Sequence, residues 1–184
     1  MKKTSVIFYN LFLLLSAISF FILSNIFNQL WMKILFITFL TTFYHFFMRL
    51  CVGESINLVF KNKTFNQDFL LFKIHKFEPE LYKKIAVKKW KAEAITANPQ
   101  SFNPSLVSME RLLHNMIQAE LVHEIIMVLS FIPLLFIIPF GAPAVFIGTS
   151  IFGFLIDLKY VIIQRYNRPR VIKIINREKQ KNHF

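Results

Sequence analysis

Apolar positions along this chain come in long unbroken runs, not at the one-face spacing of a surface helix or the alternation of a half-buried strand. Four runs stand out, at Ser5–Phe27, Leu30–Leu50, Leu121–Phe140 and Pro143–Ile163. Each holds about 20 residues, and at about 1.5 Å per helical residue that length crosses a hydrocarbon core of about 30 Å. Asn25, Asn28 and Gln29 interrupt the first pair of runs, and Gly141-Ala142-Pro143 the second, so the pattern predicts two helical hairpins. Pro133 and Pro139 fall inside the third run and predict a kink or an early end there. The first run follows Lys2 and Lys3, as a signal peptide would. Its core from Val6 to Phe27 exceeds an h-region and no small-residue cleavage site follows, so it is expected to be retained.

The segment between the hairpins is polar but studded with large apolar residues, among them Phe60, Phe65, Phe69, Leu70, Phe72, Phe77, Leu81, Tyr82 and Trp90. From Glu80 to Glu93 apolar and basic positions alternate at helix-like spacing, which predicts a helix lying in the membrane interface with Trp90 at headgroup depth. Asn98-Pro99 and Asn103-Pro104 should break it, and Ser108 should cap the next helix. The expected architecture is all-α and integral to a membrane. It divides into an N-terminal transmembrane hairpin (1–52), a cytoplasmic amphipathic loop (53–118), a C-terminal hairpin carrying polar motifs (119–170) and a basic tail (171–184).

Composition supports the same class. Hydrophobic residues make up 55% of the 184, with 23 Phe, more than a soluble fold of this size can bury. Only 17% of residues are charged, yet the formal balance is +12. Beside apolar runs, such charge points to anionic lipid as partner, not nucleic acid. The short turns lack lysine and arginine, whereas the N-terminus, central segment and tail are rich in both. The positive-inside rule therefore predicts both termini on the cytoplasmic side of the cell membrane. The single cysteine, Cys51, excludes an internal disulfide and a cysteine-based zinc site.

Polar residues gather near the cytoplasmic ends of the runs. His45 and Arg49 share a face of the second. Glu120, His123 and Glu124 share a face of the third. Asp157, Tyr160 and Gln164 line the fourth, followed by Arg165, Asn167, Arg168 and Arg170. Ionisable groups at membrane depth are costly and mark functional sites, although end-of-helix arginines can also be headgroup anchors, and Asp157 can pair with an arginine for folding alone. Glu120 beside His123 is a carboxylate positioned to orient an imidazole, as a general base requires. The same Glu-x-x-His spacing occurs in di-iron bundles, but no second copy exists here, and no metal or bound cofactor is expected. Phosphate-binding Gly loops, nucleophile elbows and His-x-x-x-x-Asp signatures are absent.

The string Val161-Ile-Ile-Gln164-Arg165-Tyr166-Asn167-Arg168-Pro169-Arg170, with Ala119-Glu120-Leu121-Val122-His123 and Lys89-Trp90-Lys91 before it, resembles the glycosyl-4,4'-diaponeurosporenoate acyltransferases. Asn115, Met116 and Gln118 depart from that pattern, as do Glu124 and Asp157. The resemblance implies transfer of a fatty acyl group to a sugar hydroxyl of a membrane-dissolved glycosylated acceptor such as a carotenoid. Acyl-CoA is then the expected co-substrate. Glu120 and His123 would be catalytic. Gln164, Arg165, Asn167, Arg168 and Arg170 would bind substrate, joined by Trp90, Lys91, His45 and Asp157 in the same zone. Two alternatives are a non-catalytic membrane subunit or anionic-lipid-binding protein, in which these groups lock helices together, and transfer of another small group such as methyl.

Overall fold

A computed structural model describes residues 3–60, 72–90 and 99–181, with side chains from Thr4 onward. Lys2, Lys61, Lys63, Phe65, Phe69, Leu70, Lys91 and Asn98 of the sequence argument lie outside the described residues. The described residues are helical, with no strand among them. In chain order the helices are α1 (Lys3–Phe27), α2 (Leu30–Phe60), α3 (Glu78–Lys84), α4 (Val87–Trp90), α5 (Met109–Leu129), α6 (Ile137–Phe140) and α7 (Pro143–Lys181). Short 3₁₀ turns occupy Pro99–Phe102 and Ile132–Phe136. Four stretches are long and apolar enough to cross a membrane: Thr4–Phe27, Leu30–Phe60, Met109–Phe140 and Pro143–Lys181. Their side chains stay largely exposed, as with Phe8, Phe12, Leu135 and Ile138, which suits lipid as the surrounding solvent. The protein is an all-α membrane protein.

Contacts divide the chain into two units, Met1–Glu54 with Ile125–Asp157, and Ser55–Glu124 with Leu158–Phe184. In the first unit, α1 ends at Phe27, and Asn28 takes the left-handed conformation (φ 48°) that turns the chain into α2. Phe20 stacks on Phe39 with ring centroids 5.4 Å apart, and Phe21 meets Phe36 at 5.2 Å. α5 stops at Leu129 because Pro133 has no N–H to donate to the Leu129 carbonyl. The Tyr44 hydroxyl donates to that carbonyl instead, at 2.9 Å. The expected kink or early end in the third span is therefore observed as a break in its helix at Leu129, with its cause. Gly141 (φ 69°) and Ala142 (φ 51°) make the turn ahead of Pro143.

In the second unit, Phe72 packs with Leu112, Leu113, Met116 and Ile117 of α5 and with Val171 and Ile175 of α7. A second cluster joins Tyr82, Val87 and Ile163, with Trp90 and Tyr166 against it. Ser108 caps α5 as expected, its Oγ accepting the Arg111 N–H at 3.2 Å. Asn103 Oδ1 accepts from both the amide and the hydroxyl of Ser105, closing the turn before it.

Two expectations are revised. The helix expected from Glu80 to Glu93, of which 91–93 lie outside the described residues, is broken at Ala86, whose φ of 52° no helix interior accepts, leaving the short α3 and α4. Trp90 packs against the Tyr82–Val87–Ile163 cluster. The fourth apolar run is the first part of a helix that continues through Pro169 to Lys181, into the segment assigned to a basic tail. Its 39 residues span roughly 58 Å, about twice a hydrocarbon core, so one end must stand outside the bilayer. Val171 and Ile175, assigned by sequence to a basic tail, are buried core residues.

Candidate functional site

The chemistry-bearing residues fall into one constellation in each unit. In the second unit, α5 presents Glu120, and α7 presents Arg165 and Arg168 one helical turn apart. Glu120 is fully buried. Its Oε1 accepts from Arg165 Nη1 at 2.8 Å and from Arg168 Nη2 at 3.2 Å, and its Oε2 lies 3.1 Å from Arg168 Nε. A carboxylate this far from water persists as an ion only with such neutralisation. Arg168 itself is 2% exposed and also lies 5.6 Å from the centre of the Phe72 ring.

A second carboxylate completes the charge balance. Glu78 begins α3 and accepts from Arg165 through both oxygens, Oε1 from Nη2 at 2.7 Å and Oε2 from Nε at 3.0 Å, the two-pronged geometry guanidinium favours. The His75 amide donates to Oε1 at 2.9 Å and the Tyr82 hydroxyl to Oε2 at 2.5 Å. Burial works against the charged form of Glu78, but the Arg165 hydrogen bonds, the His75 amide and the Tyr82 hydroxyl outweigh it and hold the carboxyl down at about 2. Burial, with the Glu78 carboxylate alongside, pushes the Tyr82 phenol above its ordinary range. Arg165 Nη2 also donates to the Lys73 carbonyl at 2.8 Å, and Glu124 Oε1 lies 3.9 Å from Arg165 Nη1. Neither Glu78 nor Tyr82 was singled out for this role from sequence. The available signal was an acidic residue opening a short helix with a tyrosine four positions on.

His123 lies one turn along α5 from Glu120 and stacks face to face on Tyr160 of α7, with centroids 4.8 Å apart and planes 12° from parallel. The Glu120 carboxylate is thus occupied by two guanidiniums, and the face of the imidazole is held by an aromatic ring. Gln164 is buried. Asn167 Nδ2 donates to the Ile163 carbonyl of its own helix at 2.9 Å. Arg170 is exposed, its guanidinium 3.8 Å from the centre of the Tyr166 ring.

In the first unit, Arg49 pairs with the fully buried Asp157 and donates through Nη1 to the His45 carbonyl at 2.7 Å. The His45 ring is buried, and neither ring nitrogen has a hydrogen-bond partner. It fits because position 153 is glycine: a Cβ there would come within 3.1 Å of His45 Nδ1 and 3.3 Å of Ser130 Oγ. Among the described residues, no group of three or more His, Cys, Asp or Glu side chains could hold a metal ion.

The profile of the glycosyl-4,4'-diaponeurosporenoate acyltransferase family matches residues 62–177, well over half of the chain. The chain belongs to this family. The segment matched to the acyltransferase family contains Glu78, Glu120, His123, Tyr160, and the whole Gln164–Arg170 string. His45 and Arg49 lie outside it. No curated protein and no solved structure matches the chain.

Proposed function

We propose that this protein is a membrane-bound O-acyltransferase that moves a fatty acyl group from acyl-CoA to a sugar hydroxyl of a glycosylated carotenoid or similar glycolipid. The observation that carries this reading is that the family match encloses a half-buried histidine, His123, one helical turn from a buried carboxylate–guanidinium cluster. His123 takes the proton of the acceptor hydroxyl as its oxygen attacks the thioester carbonyl. The carbon–sulfur bond then breaks, the proton passes to the departing thiolate, and an ester and free CoA result. Stacking on Tyr160 limits rotation of the imidazole, the part first assigned to Glu120. Glu120 serves by fixing Arg165 and Arg168, whose charges steady the end of the site nearest the developing oxyanion. The positive-inside rule supports a cytoplasmic location for both termini and the segment between the hairpins, the side on which acyl-CoA is found.

One observation favours a non-catalytic reading: Arg165 and Arg168 are both spent on carboxylates, as helix-locking residues would be. Lipid and pigment mass spectrometry on matched cells with and without the gene separates the two. Loss of an acylated glycolipid with accumulation of its unacylated precursor supports acyl transfer. An unchanged profile in cells that express the protein overturns it.

A further inference from the structure

Arg165 lines a cavity of about 530 Å³ within the second unit, between α3, α4 and α7. That volume is in the range of small-molecule sites. Its walls are the rings of Tyr82 and Tyr166 with Ile74, Pro79 and Pro169, and its rim carries Lys83, Lys88 and Arg170. Nothing in the sequence argument assigned Lys83 or Lys88 to a site.

Charge accounting points to the occupant. Arg165, also in the lining, has its charge answered by Glu78 and Glu120. Lys83, Lys88 and Arg170 are exposed and form no ion pair with a described residue. Three cations therefore converge on one concavity with no ion-paired carboxylate among the described residues. Random surface lysines diverge into solvent; these do not, because the chain reverses at Ala86. Lys83 ends α3 and Lys88 lies in α4, and the left-handed Ala86 between them turns both toward the same opening. Arg170 is steadied by the Tyr166 ring beneath it, so less freedom is lost when it meets a ligand. The matching ligand carries at least two phosphate charges close together and a compact apolar or aromatic part to lie among the tyrosine and proline walls.

We propose that this cavity binds the phosphorylated nucleotide end of the acyl-CoA donor, with Lys83, Lys88 and Arg170 on its phosphates. The assignment rests on the acyl-transfer reading above; of the three arginines expected to bind substrate it keeps Arg170 and puts Lys83 and Lys88 in place of Arg165 and Arg168. Anionic lipid headgroups offer the same phosphate chemistry, so the test must separate the two sources.

The experiment is calorimetric titration of the full-length protein in uncharged detergent with adenosine 3′,5′-bisphosphate, repeated for Lys83→Gln/Lys88→Gln and for Arg170→Gln. Saturable binding is expected, weakened about tenfold for each cation removed and falling with added salt. With a long-chain acyl-CoA as substrate, the same variants should raise KM while kcat holds. No binding by the unaltered protein, or equal binding by the variants, overturns the assignment. So does phosphatidylglycerol-vesicle binding that the variants lose when the bisphosphate never bound, which would give the cavity to a headgroup. Bisphosphate binding by a protein that transfers no acyl group would overturn the acyl-transfer reading and leave a nucleotide site standing. Acyl transfer with an unchanged KM in the variants would overturn the cavity alone.

Discussion

Arg168 meets Glu120 side-on, its Nε 3.1 Å from Oε2 and its Nη2 3.2 Å from Oε1, and both side chains are almost wholly removed from solvent. The pair links α7 to α5 by charge in a place where apolar packing alone would be less specific. Removing either member strands the other. Glu120→Ala and Arg168→Ala should each cost about 3–5 kcal/mol, whereas the double change Glu120→Leu/Arg168→Met should cost far less than the sum. Thermal unfolding in detergent measures this. Additive losses would mean that the two charges do not depend on one another.

His123 should behave differently. If it removes the acceptor proton, His123→Ala lowers kcat by about two to four orders of magnitude and leaves Tm nearly unchanged. Tyr160→Leu, which takes away the ring beneath the imidazole, should lower kcat less than His123→Ala does. Full transfer activity in His123→Ala would remove this residue from the chemistry.

Acid should release α3. Glu78 ionises at about 2, against an ordinary value of 4.5, so its bonds to Arg165 favour the folded state fully above about pH 4.5. That contribution declines as pH falls below 4.5 and is gone once pH passes below about 2. Trp90 packs on the cluster that includes Tyr82, so its fluorescence in a Trp31→Phe background should report the change. In Glu78→Gln this acid-dependent step should vanish.

Space governs the seat of His45 in the first unit. Gly153→Ala puts a methyl 3.1 Å from His45 Nδ1, and Gly153→Leu cannot be accommodated without moving the ring. Gly153→Leu should destabilise by about 1–3 kcal/mol. Combining it with His45→Ala should recover part of that loss, seen as a favourable coupling in a double-mutant cycle. Equal penalties with and without the histidine would show that the ring is not what the new side chain meets.

The spans and their turns were legible because lipid imposes a crude rule, about 20 apolar residues per crossing, and because Asn28 and the Gly141–Pro143 step interrupt it sharply. Pro133 and Pro139 were read as a kink or an early end in the third span, and the Leu129 carbonyl accepting from Tyr44 marks where the helix breaks. Less legible was anything decided by pairing. Arg165 and Arg168 announce themselves as a motif, yet nothing local says that Glu78, 87 positions away in sequence, is the residue that grips Arg165. The continuation of α7 past the apolar run was not read, since Pro169 and a run of basic residues carry no signal of a buried helix. Burial of Val171 and Ile175 against Phe72 carries the helix on.

Ala86 has a consequence for how this site would vary among relatives. The backbone positions from which Lys83 and Lys88 extend are related by one torsion at the alanine between them. A β-branched residue there would resist φ near +52°, shifting both lysines while leaving each one in place in the sequence. Two chains could therefore carry identical cations and yet hold differently spaced anions, the difference written at a position that itself bears no functional group.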